Sequence, residues 1–442
     1  MRHIPIRHLL CAAVLSVAGA SERVSVPGPD PEDFGFNRLG DVSDDGRYVV
    51  FFSTNDYTPS EPDQGIYIRD RLLGGVHLVQ HGAGAGEANG LTNARLSGDG
   101  SYVLWVTEFG PNRPETKHLE RLAWNALISF PIVIDQIDGR LSDGAPRNPA
   151  ISDNGRYVAW DAPATNLTGY PGGTTTRGKA FWCDVATNDI RPMSADRDGR
   201  VDSGDAEVGG ISDNGRVVAF ATTSERMTDG GRFRGAYVRD AFTFALTRVD
   251  RARSGEPAND AVVGVPRISG NGRFVAFSSA ASNLVGGDSN GVVDVFVYDR
   301  LVWWRPEVTR ISVATSGAQA NADCLDCSIS DNGRYVAFRS AASTLVGGDS
   351  NAEFDLFVHD RLFGVTRRVN RRLGGGEPPG RVLPGIVLSG DGRFAAFDSN
   401  ANGYSAEPVV LREVFIDRAA PLAIDWGGLL RRIFGEFPSA PG

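Results

Sequence analysis

The sequence predicts an all-β fold, a seven-bladed β-propeller of four-stranded antiparallel blades, on three observations. One phrase recurs seven times along the 442 residues. The strands that follow it are apolar on consecutive positions. Glycine and proline, 54 and 24 of them, punctuate the whole length instead of gathering in one tract, as many short strands joined by tight turns require.

The phrase reads Ser, two residues drawn from Asp, Asn and Gly, then Gly, usually Arg, and a short apolar run. Its copies begin at Ser43, Ser97, Ser152, Ser212, Ser269, Ser330 and Ser389, at intervals of 54, 55, 60, 57, 61 and 59 residues. A period of this size belongs to solenoids, propellers or arrays. Asp-Gly and Asn-Gly suit a hairpin turn, because glycine accepts a positive φ. In the fifth copy the turn opens onto Phe274, Val275, Ala276 and Phe277. A second strand follows at 294–300 and a more polar one at 308–312, with echoes at 355–361 and 365–369. With the segment ahead of the serine, each unit holds four strands. Consecutive apolar residues mark a sheet buried on both faces, which radial stacking provides. Arg and Thr on the last strand suit a solvated edge.

Closure is expected from the N-terminus. Arg23, Val24, Ser25 and Val26 resemble Arg310, Ile311, Ser312 and Val313, a fourth strand. The last unit reaches only a third strand at 414–418, so residues 22–26 are expected to complete it; the competing source is 421–426. Residues 21–418 then form the propeller and 419–442 a tail. At the start, Arg2, His3, Arg7 and His8 precede an apolar run at 9–20 that ends in Ala18, Gly19 and Ala20, the signature of a signal peptide cut after Ala20. The run is too short to span a bilayer, and the small residues of a lipoprotein signal are missing ahead of Cys11. A periplasmic or secreted monomer without a membrane span in the mature chain is expected. A formal charge of −9 without a basic stripe argues against nucleic acid.

The phrase and the strand at 294–300 resemble the WD40-like repeats of bacterial periplasmic propellers, the TolB-like or PD40 repeats. The resemblance covers residues 36–418. The repeats are longer than usual, and the second and third depart from the pattern: in the second, Ser101 replaces the arginine and 119–124 barely resembles the third-strand pattern. The resemblance implies a propeller; such families include scaffolds, peptidase caps, lyases and hydrolases, and fold does not choose among them.

Candidate chemistry is sparse. Two loops between second and third strands are nearly identical and carry Asp288, Asn290 and Asp294, and Asp349, Asn351 and Asp355. These residues are the candidate ligand-binding positions, and the same oxygens are candidate Ca²⁺ ligands; Asx turns are the alternative. Fewer acids than a standard calcium loop, and no distal Glu, favour the turn. Cys324 and Cys327 form a lone CxxC: a local disulfide or two free thiols. Cys183 reads as a packing residue. His77, His81 and His359 read as surface choices, and His118 has no partner in the sequence. The spacing Gly-x-Ser-x-Gly occurs once, at Gly287 to Gly291, inside a loop between two expected strands and without the helix that a nucleophile elbow needs.

The favoured reading is a non-enzymatic scaffold, without a cofactor, binding a protein or an envelope glycan. Its expected binding face carries the long loops and the blade-to-blade connections, since functional loops concentrate on a rigid scaffold. The alternatives are a polysaccharide lyase or hydrolase acting at the channel mouth, and a Ca²⁺-stabilised surface protein. The enzyme reading gains weight if acids, His and Arg from several blades converge in one pocket.

Overall fold

A computed structural model describes residues 22–25, 37–54, 65–81, 91–108, 117–124, 132–137, 139–167, 177–196, 204–224, 227, 233–301, 307–370, 377, 380–400 and 413–418. Each phrase serine sits where a first strand turns into a second. Ser43 Oγ donates to Asp45 Oδ1 (2.7 Å) and accepts the Tyr48 amide (2.9 Å), while Asp45 Oδ1 accepts the Arg47 amide (2.9 Å). The turn closes with the Gly46 amide on the Ser43 carbonyl, Gly46 standing at φ +71°. The Ser–Asx pair recurs at Ser97–Asp99, Ser152–Asn154, Ser212–Asn214, Ser269–Asn271, Ser330–Asn332 and Ser389–Asp391. The acid or amide therefore does more than tolerate a turn: it ties the serine to the start of the next strand.

The seven hairpins each belong to a four-stranded antiparallel sheet. In blade 5 the strands are Val262–Ile268, Phe274–Ser279, Asp294–Asp299 and Glu307–Arg310, paired in sequence order. Blade 2 takes its third strand from Lys117–Ala123, where the sequence pattern is weakest. A separate two-stranded ribbon joins Gln136–Ile137 to Arg140–Leu141. The last sheet holds Val387–Leu388, Phe394–Ser399 and Glu413–Arg418, and its outer place is filled by Glu22–Arg23. Glu22 pairs with Ile416 and Arg23 with Phe415.

Both faces of the middle strands are covered. All six residues of Val217–Thr222 and of Asp294–Asp299 are buried. Six blades stack an aromatic pair across these strands, Phe51–Tyr67, Trp160–Phe181, Phe220–Tyr237, Phe277–Phe296, Phe338–Phe357 and Phe397–Phe415, with ring centroids 5.6 to 6.0 Å apart. Apolar clusters join neighbouring blades all the way round; one gathers Val24, Leu39 and Phe51 with Ala396 and Ile416, so the last blade packs on the first.

The phrase glycine has a second reason to be glycine. A Cβ on Gly46, Gly100, Gly155, Gly215, Gly333 or Gly392 would meet an aromatic ring of the preceding blade (Phe394, Tyr48, Tyr102, Tyr157, Phe274 and Tyr335) at 2.0 to 2.5 Å. In the remaining interface Val217 replaces the aromatic residue, and Gly272 has more room.

The phrase arginine ties the first hairpin to the second. Arg334 forms a two-pronged pair with Asp360 (2.9 and 2.7 Å), whose Oδ1 also accepts the Leu362 amide of the next turn. Arg47–Asp70, Arg156–Asp184 and Arg273–Asp299 repeat this geometry. In blade 2, where Ser101 replaces the arginine, Ala123 ends the third strand, so both partners of the pair are missing together. Asp360→Ala is expected to cost about 1–3 kcal/mol, since it strands a guanidinium and frees turn amides; a urea midpoint unchanged from wild type would contradict this role.

His359 corrects the surface expectation. It is buried, its Nδ1 lies 2.8 Å from Thr366 Oγ1, and burial pushes its pKa down to about 4. The neighbouring blade sits over that strand position, so a polar residue there is enclosed; Arg239, at the equivalent place in blade 4, is buried as well.

Candidate functional site

The first strands line the central channel, and the residue after each phrase serine projects from the channel end of its hairpin. Around the ring these residues are Asp44, Gly98, Asp153, Asp213, Gly270, Asp331 and Gly390, all bordering one cavity of about 230 Å³. Neighbouring turns bond to each other: Asp44 N donates to Gly98 O (2.9 Å), Asp213 N to Gly270 O (2.8 Å), Asp331 N to Gly390 O (2.8 Å) and Asp391 N to Asp44 O (2.9 Å).

The three glycines placed among the four acids have a steric cause. A Cβ on Gly98 would lie 2.2 Å from Asp44 Oδ2 and 2.7 Å from Asp153 Oδ1. One on Gly270 would meet Asp213 Oδ2 at 2.2 Å, and one on Gly390 would meet Asp331 Oδ2 at 2.0 Å and Asp44 Oδ1 at 2.5 Å. Each glycine thus leaves room for a neighbouring carboxylate to fold over it. Four acids are held close in a partly dehydrated ring. Burial first, then repulsion from Asp331, Asp213 and Asp153, raises Asp44 to about 8. Asp331 rises to about 7 and Asp213 to about 6, burial again leading and ring neighbours adding to it.

One layer deeper the channel turns cationic. Arg95 donates to Gly40 O (2.7 Å) and Pro149 O (3.2 Å), and Arg267 to Gly209 O (2.6 Å), each joining inner strands of different blades. Burial lowers Arg95 to about 10. Asp41 accepts the Leu96 amide (3.2 Å), and burial outweighs the attraction of Arg95 to raise its pKa. The channel therefore presents carboxylates at one mouth and guanidinium groups behind them. Oxygen ligands in such a ring suit an ammonium or metal cation; the arginine layer suits an anion.

Sequence reasoning treated the ring residues as turn formers and did not single out Asp44, Asp153, Asp213 or Asp331. The signal was present as the choice of Asp or Gly after each serine.

The residues that sequence reasoning did single out lie on the opposite face. Asp288 and Asp294 share the guanidinium of Arg310 (Nη1 at 3.0 and 3.3 Å), and Gln319 Oε1 accepts from the same nitrogen (3.0 Å). Asn290 donates to Asp294 Oδ2 (2.9 Å) and Ala320 O (3.0 Å). In blade 6 Arg368 Nη1 lies 3.6 Å from Asp349, 3.0 Å from Asp355 and 3.1 Å from Glu377. Asn351 Oδ1 accepts the Glu353 amide (3.0 Å), an Asx turn. In blade 5 the three residues meet around Arg310, whereas in blade 6 Asp349 and Asp355 meet at Arg368 together with Glu377 and Asn351 turns to its own loop. Cys324 and Cys327 are free, buried thiols, and Cys183 is buried in the core.

On the turn face a different surface appears. Leu72 and Leu73 in blade 1, Phe242 and Phe244 in blade 4, Leu301 in blade 5, and Leu362 and Phe363 in blade 6 stand exposed on the turns that follow third strands. Those turns share the face of the carboxylate ring, since Arg71, Arg300 and Arg361 reach back to the phrase-glycine carbonyls Gly46, Gly272 and Gly333.

No family model matches the chain, and no curated protein does. Among solved structures it is similar to oligogalacturonate lyase from Vibrio parahaemolyticus, at 12% identity and TM-score 0.50, over 91% of this chain and 92% of that one. It is also similar to the β-propeller domain of the trilobed protease from Pyrococcus furiosus, at 11% identity and TM-score 0.51, over 87% and 98%. TolB from Acinetobacter baumannii matches at 16% identity and TM-score 0.40 over 73% of this chain, which spans 63% of that protein. At these identities the likeness is one of fold: the chain is an all-β, seven-bladed propeller built like those of a lyase and a protease domain.

Proposed function

We propose that this chain is an exported, non-enzymatic scaffold that binds a protein through its turn face. The observation that carries the reading is the set of exposed Leu and Phe side chains on four blades, outside an acidic channel mouth. Large apolar residues grouped on one face mark protein contact more than sugar contact. The ring acids favour a partner that brings a Lys or Arg side chain to the channel mouth. The binding face is thus the one opposite the long loops. The apolar run at 9–20 supports export.

The test is capture of a partner from an envelope extract by the purified mature chain. Loss of that partner in Leu72→Ser/Phe242→Ser/Leu362→Ser and in Asp44→Asn/Asp331→Asn, with retention in Asp260→Asn on the loop face, is expected. Retention by both turn-face variants would overturn the reading.

A second reading has one observation in its favour: acids raised towards neutral pH and arginines from several blades converge in one cavity. It makes the channel a lyase site for an acidic polysaccharide. Incubation with polygalacturonate and a watch on ultraviolet absorbance from unsaturated products decides it; a rise lost in Asp44→Asn would favour the enzyme.

A further inference from the structure

Blades 5 and 6 carry the same loop, and the difference between them is informative. In blade 5 one guanidinium serves two carboxylates, Asp288 and Asp294, and the remaining place is held by a neutral amide. Gln319 accepts from Arg310 and donates to Gly287 O (2.9 Å) and Ser289 Oγ (3.2 Å). In blade 6 Glu377 takes the part of Gln319. It accepts the Ser350 amide (2.6 Å), the Asn351 amide (3.2 Å) and the Ser350 hydroxyl (3.0 Å). Three carboxylates now surround the single guanidinium of Arg368, and one oxygen from each of Asp349, Asp355 and Glu377 lies within 4.8 Å of the others.

Arg368 does not satisfy this cluster. It reaches Asp349 only through Oδ1, at 3.6 Å. The Asp349 side chain is 4% exposed, yet its Oδ2 has no hydrogen-bond partner. A buried carboxylate oxygen without a protein donor is costly. Three acids and one arginine leave two negative charges, the number that one divalent ion cancels. The available ligands are all oxygen, which selects a hard cation over zinc or copper.

We propose that blade 6 holds a Ca²⁺ site built on Asp349, Asp355 and Glu377, and that blade 5 holds none. Glu377 supplies the distal acid that the local loop sequence lacks. Ca²⁺ is favoured over Mg²⁺ because the cluster is irregular and partly buried, and Mg²⁺ demands near-octahedral geometry and gives up water reluctantly.

The full chain, purified in chelator and titrated with CaCl₂ in a calorimeter, tests this. One saturable site is expected, with a Kd of about 10⁻³ M or tighter, the range of extracellular calcium modules. Glu377→Gln reproduces the blade 5 arrangement, so it should fold with an unchanged melting temperature in chelator and bind at least tenfold more weakly. Gln319→Glu should give blade 5 a site of its own and raise the stoichiometry to two. Absence of saturable binding by the wild-type chain would overturn the proposal, as would equal binding by Glu377→Gln or a stoichiometry of one in Gln319→Glu.

Discussion

Replacing Gly209 by alanine is expected to destabilise the propeller by about 3 kcal/mol or more, near the upper range of single substitutions. Gly209 lies in the first strand of blade 4 at a register shift, against blade 5. A Cβ there would stand 1.7 Å from the Pro266 carbonyl oxygen and 2.8 Å from its carbon. Both contacts are backbone, so no rotamer change relieves them, and the inner strands of the two blades must part. Parting them also strains the bond from Arg267 to the Gly209 carbonyl. The adjacent Gly210→Ala is the control: its Cβ would lie 3.4 Å from Ile268 Cγ2 and no closer to backbone than 3.7 Å. Urea denaturation should show Gly209→Ala far below wild type and Gly210→Ala within about 1 kcal/mol of it. Equal midpoints for the two variants would contradict the close approach.

Asp44→Asn is expected to do the opposite and stabilise the protein, but only at neutral and alkaline pH. In the folded chain Asp44 is raised from 3.8 to about 8. Between those values the folded state holds a proton that the unfolded state has released. The unfolded state then binds fewer protons, and stability falls as pH rises. The penalty is absent below about pH 4 and complete above about pH 8. Asparagine carries no charge and its amide can donate to the neighbouring ring acids, so the gain should approach about 1–3 kcal/mol at pH 8.5 and fade near pH 4. Denaturation midpoints of both proteins across this window measure it; a difference that does not grow with pH would refute the strain assigned to the ring. A cluster that destabilises its own fold is a mark of function, because activity commonly costs stability.

The architecture was legible because each blade repeats a local rule. The seven serine phrases mark the seven inner hairpins, and the doubly apolar strands mark sheets covered on both sides. What escaped was whatever depends on the ring being closed. The letter after each serine was visible as Asp or Gly, but only a neighbouring blade gives Gly98 its reason for lacking a side chain. Arg310 and Arg368 looked like edge-strand residues and prove to be the internal partners of the loop acids. Glu377 lies beyond the fourth strand of its blade, too far along the chain for a loop motif to include. His359 was misjudged because a central strand hides its polar positions as thoroughly as its apolar ones.

The seam between Glu22–Arg23 and Glu413–Arg418 sets the order in which this molecule can be made. A ribosome delivers the first half of that zipper long before the second exists. The start of the chain must wait for the final hairpin, and bringing two segments so far apart in sequence together carries an entropic cost. Two residue pairs then close a ring of just under four hundred residues, so a force pulling the chain ends apart should unzip this seam before any other sheet yields.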